Sequence, residues 1–223
     1  MGARYTLCIG SKNISSWSLR PWLAMKMAKL PFEEVLIRLR TPETKARIQQ
    51  HSPSGKVPAL KIEENGKSET IWDSLAISET IAERHAEAQL WPEDAMARAQ
   101  ARSVAAEMHS GFPDLRTVLS MEIAARHPTP ALDDAVQRDI ARIIAIWTSA
   151  LGEFGKQGGG FLFGHFSIAD AFYAPVVTRF RTYKTDLERE AEAYCDTIMA
   201  LPAMQEWIAA AKNEPMIVEA FEF

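Results

Sequence analysis

The sequence predicts an α/β domain of order βαβαββα over residues 1–85, followed by an all-helical domain from residue 94 to residue 223. Strand and helix signals alternate up to His85, whereas beyond Asp94 apolar residues recur at spacings of three and four. The formal charge divides at the same place: Lys+Arg number 13 and Asp+Glu 9 over residues 1–85, a net +4, while the remaining residues carry 12 and 20, a net −8. Ala86–Asp94 (AEAQLWPED) reads as the connection, with 86–93 as linker and Pro92 starting the next helix.

Arg4–Gly10 (RYTLCIG) is strand-like and ends in glycine. Pro21–Leu30 has helical spacing and is stopped by Pro31. Proline is tolerated where its missing N–H goes unpaired anyway, in the first turn, so the helix cap is expected at Ser18, with Pro21 at the third helical position. Phe32–Leu39 suits a strand, and Thr41–Gln50 a helix with Thr41 as cap and Pro42 in the first turn. Val57–Ile62 and Ser68–Ile71 bracket Asn65-Gly66, a hairpin turn signal. Asp73–His85 reads as a helix capped by Asp73.

In the second domain, a stripe from Ala97 to Leu119 through Met108 and Phe112 predicts a long helix over 96–123, kinked at Gly111 and Pro113. Ala131–Phe154, Ser167–Arg181, Leu187–Ala200 and Pro202–Lys212 complete the helices, and Phe166-Ser-Ile-Ala-Asp170 has the form of a capping box with Ser167 as cap.

At 223 residues with 47% hydrophobic and 24% charged composition, the chain has enough apolar surface to fold. No apolar run approaches the roughly 18–20 residues that span a bilayer, and the N-terminus reads directly into a strand, so a cytoplasmic protein without membrane association is expected. Cys8 and Cys195 form neither a disulfide framework nor a metal-spaced set, and no metal is expected. Net acidity argues against nucleic-acid binding, while the positive first domain suits an anionic ligand.

Three short motifs carry chemistry. Ser15 and Ser16 stand just before the first helix, near the positive end of its dipole, where a hydroxyl can donate to an anion; a thiolate is the anion most in need of that help at neutral pH. An ordinary loop pair is the alternative. In Gly55-Lys-Val-Pro-Ala-Leu60, a cis Val57–Pro58 bond would turn the Val57 backbone outward toward a peptide-like ligand; a trans proline that merely starts a strand is the alternative. Asp73-Ser74 opens a helix, where amides and the Ser74 hydroxyl can form a carboxylate site and Asp73 can receive an ammonium.

Together, in this order, these motifs resemble the glutathione transferase family across essentially the whole chain, which implies a thioredoxin-like first domain, an all-α second domain and a homodimer. Ser15-Ser-Trp-Ser-Leu-Arg20 resembles the Ser-Ser-Cys-Ser-x-Arg motif of the zeta class, the maleylacetoacetate isomerases, with Trp17 where that class has cysteine. By that resemblance Ser15 hydrogen-bonds the glutathione sulfur, with Ser16 close behind. Lys56 and Val57 contact the glycyl end and the cysteinyl backbone, Pro58 is the family's cis-proline, and Asp73 and Ser74 hold the γ-glutamyl group. The peptide would lie along the open edge of the third strand. Trp17, Met108 and Phe112 are candidates for the pocket of an electrophilic substrate, Met108 and Phe112 being equally readable as core.

The resulting expectation is a glutathione transferase, with glutathione as co-substrate and Ser15 activating its thiol toward a small, largely apolar electrophile, as in detoxification. An isomerase of the maleylacetoacetate type, a dehalogenase or an etherase would use the same site. A non-catalytic binding or assembly module is the remaining alternative; a glutaredoxin-like reductase lacks its cysteine among Ser15–Ser18.

Overall fold

The central strand β1 (Arg4–Gly10) sends Leu7 and Ile9 to one face of the sheet and Cys8 to the other, as the two-residue period of a strand requires. The computed structural model describes residues 2–215. β1 pairs in parallel with β2 (Glu33–Ile37) and antiparallel with β3 (Ala59–Glu64), and β3 pairs antiparallel with β4 (Lys67–Trp72), giving the order β2-β1-β3-β4. Leu7, Ile9, Leu60 and Ile62 share one core with Leu19, Trp22 and Leu23 of α1 (Ser16–Met27) and with Ile77 and Ile81 of α3 (Ser74–Arg84). Cys8, Ile37 and Ala59 meet Ile48 of α2 (Thr44–Gln49) on the opposite face. The hairpin joins Glu64 to Lys67 through Asn65 (φ 52°) and Gly66 (φ 76°), the positive torsions such a turn demands.

In the first domain two helix starts differ from expectation. α1 begins at Ser16 with Ser15 at the cap position, so Ser18 lies in the first turn and Pro21 inside the helix. Every residue from Ser18 to Met25 is buried; that packing outweighs the roughly 3 kcal/mol a proline costs within a helix. α2 begins at Thr44, because Thr41–Thr44 closes a turn of its own: the Thr44 N–H donates to the Thr41 carbonyl (3.1 Å) and the Thr41 N–H to Thr44 Oγ1 (2.9 Å).

The helical part comprises α4 (Ala95–Ser110), α5 (Pro113–Val118), α6 (Asp134–Phe154), α7 (Ile168–Tyr183), α8 (Arg189–Ala200) and α9 (Pro202–Lys212). Here too starts differ from expectation: α6 begins at Asp134 rather than Ala131 and α8 at Arg189 rather than Leu187. The expected kinked helix over 96–123 is broken outright and ends at Val118. Gly111 is extended, Phe112 is left-handed (φ 61°), and Pro113 reopens the helix in its first turn. A side chain at residue 111 would place its Cβ 2.8 Å from the Glu107 carbonyl oxygen, which explains the glycine.

α7 is the buried axis of this part. Trp147 packs edge-on against Tyr173 and Phe180 at 5.8 and 5.7 Å, and tilted against Tyr194 at 4.7 Å. The capping box forms: Asp170 Oδ2 accepts the Ser167 N–H (2.8 Å), while Oδ1 accepts the Leu162 N–H and the Tyr194 hydroxyl, each at 3.1 Å. Among the described residues no helix is long and apolar enough to cross a membrane.

Candidate active site

Three segments distant in sequence converge beside the start of α1. They are the first turn of that helix, the stretch Ser54–Pro58 ahead of β3, and the junction of β4 with α3. Together Trp17, Ser54, Lys56, Val57, Pro58, Trp72, Asp73 and Ser74 line a cavity of about 500 Å³. Trp17, Lys56, Val57, Asp73 and Ser74, singled out in the sequence, thus share one cavity. Met108 and Phe112 lie outside its lining, buried in the core.

Two of the polar groups at this space, the Val57 backbone and the Ser74 hydroxyl, are without partners among the described residues. The Val57–Pro58 peptide is cis, and among the described residues neither the N–H nor the carbonyl of Val57 is hydrogen-bonded. β3 itself is flanked by β1 and β4, so it has no open edge; the free pairing groups belong to Val57, just ahead of the strand. Asp73 has a left-handed φ of 75°, a conformation costly for a side chain other than glycine. Its Oδ1 caps α3, accepting the N–H groups of Leu75 (2.8 Å) and Ala76 (3.3 Å). Ser74, the first residue of α3, is 1% exposed, and its Oγ has no hydrogen-bond partner among the described residues. A buried hydroxyl at a helix N-terminus, opening on a cavity beside a lysine, is arranged for an anionic group such as a carboxylate.

Ser15 and Ser16 lie at the positive end of α1, both buried and neither on the lining of the cavity. The Ser15 hydroxyl donates to Ser18 Oγ (2.8 Å), which also accepts the Gly10 N–H (3.0 Å). Ser18 therefore ties α1 to the end of β1, where a helix cap was expected.

Around Trp17 stands a layer of cationic side chains that sequence patterning missed. The Arg20 guanidinium lies 4.4 Å from the Trp17 ring and 4.9 Å from the Phe172 ring, and that of Arg116 lies 4.9 Å from Trp17. Arg20 is almost wholly buried, and its Nε and Nη1 have no partners among the described residues. Burial above all, then the charges of Arg116 and Arg179, hold it well below the ordinary arginine range, with Asp73 opposing. His109 packs edge-on against Trp17 at 5.2 Å and places Nε2 3.3 Å from Asp73 Oδ2. Burial holds its pKa below the usual histidine value; Asp73 opposes that shift, while Arg20 and Arg116 add to it. Arg116 is held in place from behind, its Nη2 donating to the carbonyls of Met108 and His109.

Arg20 closes the Ser15–Arg20 motif, three residues after Trp17 on the same face of one helix, but the sequence assigned it no role. His109 and Arg116 had no signal, because their partners lie across the cleft. Neither cysteine belongs to the site. Burial pushes the Cys8 thiol up to about 11 and that of Cys195 to about 12, which leaves both protonated and unreactive at neutral pH.

Comparison with known proteins identifies the family and the fold. The family model for the glutathione S-transferase N-terminal domain matches residues 14–84, and that for the C-terminal domain matches residues 95–210. A probable maleylacetoacetate isomerase from Caenorhabditis elegans is 30% identical over 112 residues, a stretch that spans half of this chain and half of that relative. The fold matches a glutathione transferase homologue from Burkholderia, solved with bound glutathione, at a TM-score of 0.69 and 21% identity, covering 95% of this chain and 100% of that one. It also matches a maleylacetoacetate isomerase from Anaeromyxobacter dehalogenans with glutathione in its active site, at 0.65 and 24%, covering 96% and 98%.

Proposed function

The chain belongs to the glutathione S-transferase family, and from that membership we propose that it binds glutathione in the cavity between Trp17 and Ser74 and activates its thiol through Ser15. The observation that carries this reading is the unpartnered, buried Ser74 hydroxyl sharing one cavity with Lys56 and the unpaired Val57 backbone. The γ-glutamyl carboxylate takes Ser74 Oγ and the ammonium takes Asp73. The cysteinyl backbone pairs with Val57, and Lys56 neutralises the glycyl carboxylate.

The thiol then lies toward the N-terminus of α1. Ser15 keeps its proton and re-aims it from Ser18 to the sulfur, while the Ser18 hydroxyl turns to donate to Ser15 Oγ. The Gly10 N–H continues to hold Ser18. A hydrogen bond and a helix dipole that favour the charged sulfur lower the thiol pKa. In the reaction, the thiolate lone pair forms a carbon–sulfur bond to an electrophilic carbon, and a leaving group departs with the electron pair of the bond that breaks.

The relative named a maleylacetoacetate isomerase favours a second outcome at the same site. With a cis-enone, addition of the thiolate gives a single bond free to rotate, and expulsion of the thiolate restores the double bond in trans geometry. Trp17, in the place of the zeta-class cysteine, narrows the space beside the sulfur. Retention on immobilised glutathione tests binding. Turnover of a chlorodinitroarene against maleylacetone then separates transfer from isomerisation, and inactivity toward both, together with failure to be retained, would reject the reading.

A further inference from the structure

Asp73 has one carboxylate oxygen to offer a ligand. Oδ1 is occupied by the Leu75 and Ala76 N–H groups, so Oδ2 alone is left. That oxygen lies 3.3 Å from Nε2 of His109, the penultimate residue of α4, in the helical part of the chain. The imidazole is wedged between apolar surfaces, with its ring 5.2 Å from Trp17 and 6.1 Å from Phe172. Its backbone carbonyl is tied to Arg116 (3.2 Å). Nδ1 is buried and has no partner among the described residues, so Nε2 is the nitrogen that faces a polar group.

We propose that His109 is a positioning residue: its Nε2–H holds Asp73 Oδ2 where that oxygen receives the ammonium of a γ-glutamyl thiol, so that selection for a free α-amino group depends on a contact supplied by the helical part. The proposal rests on the glutathione reading above. A carboxylate anchored through one oxygen can still turn its second oxygen away from the cavity. The 3.3 Å approach is not yet an aligned hydrogen bond; a small turn of the ring brings the imidazole N–H onto Oδ2, which fixes the plane of the carboxylate and occupies one lone pair, leaving the other for the ligand. The role requires a neutral imidazole, since an imidazolium would compete with the ligand's ammonium for the single charge of Asp73. The charged groups that face the ring are Arg20 from α1, Arg116 from α5 and Asp73 from the β4–α3 junction. The two guanidiniums and burial favour the neutral form against the pull of Asp73.

The test compares glutathione with glutaryl-cysteinyl-glycine, the same thiol with its α-amino group replaced by hydrogen, in wild type, His109→Ala and His109→Gln. In wild type, glutathione is expected to bind more tightly than the deaminated peptide. His109→Ala is expected to raise the KM for glutathione about tenfold, the scale of one hydrogen bond to a charged group, with a smaller change in kcat and a much smaller rise for the deaminated peptide. His109→Gln, which carries an N–H donor at similar reach, is expected to restore most of the difference between the two peptides. An equal loss on both peptides would mean that His109 only packs, and would overturn the proposal while the glutathione reading stood. A wild type that binds both peptides equally would overturn it as well. A wild type that binds neither would remove the reading itself, and the proposal with it.

Discussion

The Ser15 hydroxyl donates to Ser18 Oγ across 2.8 Å, and Ser18 Oγ also accepts the Gly10 N–H at 3.0 Å, so the group assigned to the thiolate is fastened to the end of the central strand. Ser15→Ala removes the donor where charge resides on sulfur, and kcat/KM is expected to fall about 100-fold, in the range seen for single donors to a reacting anion. Ser16→Ala is expected to cost far less. Ser18→Ala leaves the buried Gly10 N–H unpaired, a loss of about 1–3 kcal/mol in unfolding free energy. Steady-state kinetics and urea titration of the three variants check this, and an activity loss confined to Ser16→Ala would reassign the hydroxyl.

Ser74 separates binding from stability. Its Oγ is buried and unpartnered in the free protein, so Ser74→Ala removes an unmet polar group, and the variant is expected to melt at or slightly above the wild-type temperature. The same change deprives the bound carboxylate of a donor and is expected to weaken glutathione binding about tenfold. Calorimetric titration alongside thermal melting measures both signs.

Asp170 makes stability depend on pH. Desolvation by burial pushes its carboxyl up to about 6 from an ordinary 3.8, against the lowering effect of its hydrogen bonds to Leu162, Ser167 and Tyr194. A folded pKa above the unfolded one means that the native state binds the proton more tightly. That contribution is fully present below pH 3.8 and is lost as pH rises through about 6. Measured against Asp170→Asn, which does not titrate, wild-type stability is expected to decline across that window. Asp170→Ala strands the donors of Leu162, Ser167 and Tyr194 and is expected to cost about 3–5 kcal/mol, read from the urea midpoint.

Thiol reagents provide an independent check on the site. With Cys8 pushed up to about 11 and Cys195 to about 12 by burial, neither is expected to react with iodoacetamide at neutral pH in the folded protein, and both are expected to react in denaturant. Rapid native alkylation with loss of activity would bring a cysteine into the chemistry.

Features governed by neighbouring residues were legible in the sequence. Asn65-Gly66 closes its hairpin and Asp73 caps its helix because each choice follows from local torsions and unpaired amides. The start of α1 was misplaced because a proline rule in isolation gives no weight to burial: residues 18–25 are packed so completely that the helix accommodates Pro21. The long helix breaks at Gly111 because the close Glu107 carbonyl and the left-handed Phe112 are tertiary features, which a stripe of apolar residues does not encode. The groups that the helical part brings to Trp17 and Asp73 were invisible for a related reason. His109 meets Asp73 and Arg116 meets Trp17 across the cleft, so no local pattern marks either pairing.

The account turns on whether the start of α1 stabilises a thiolate. The most direct measurement is ultraviolet titration of the thiolate of glutathione bound to wild type and to Ser15→Ala. In wild type the bound thiol is expected to titrate well below free glutathione, and in Ser15→Ala to return most of the way to the free value. A bound thiol that titrates like free glutathione in the wild-type protein would contradict the account.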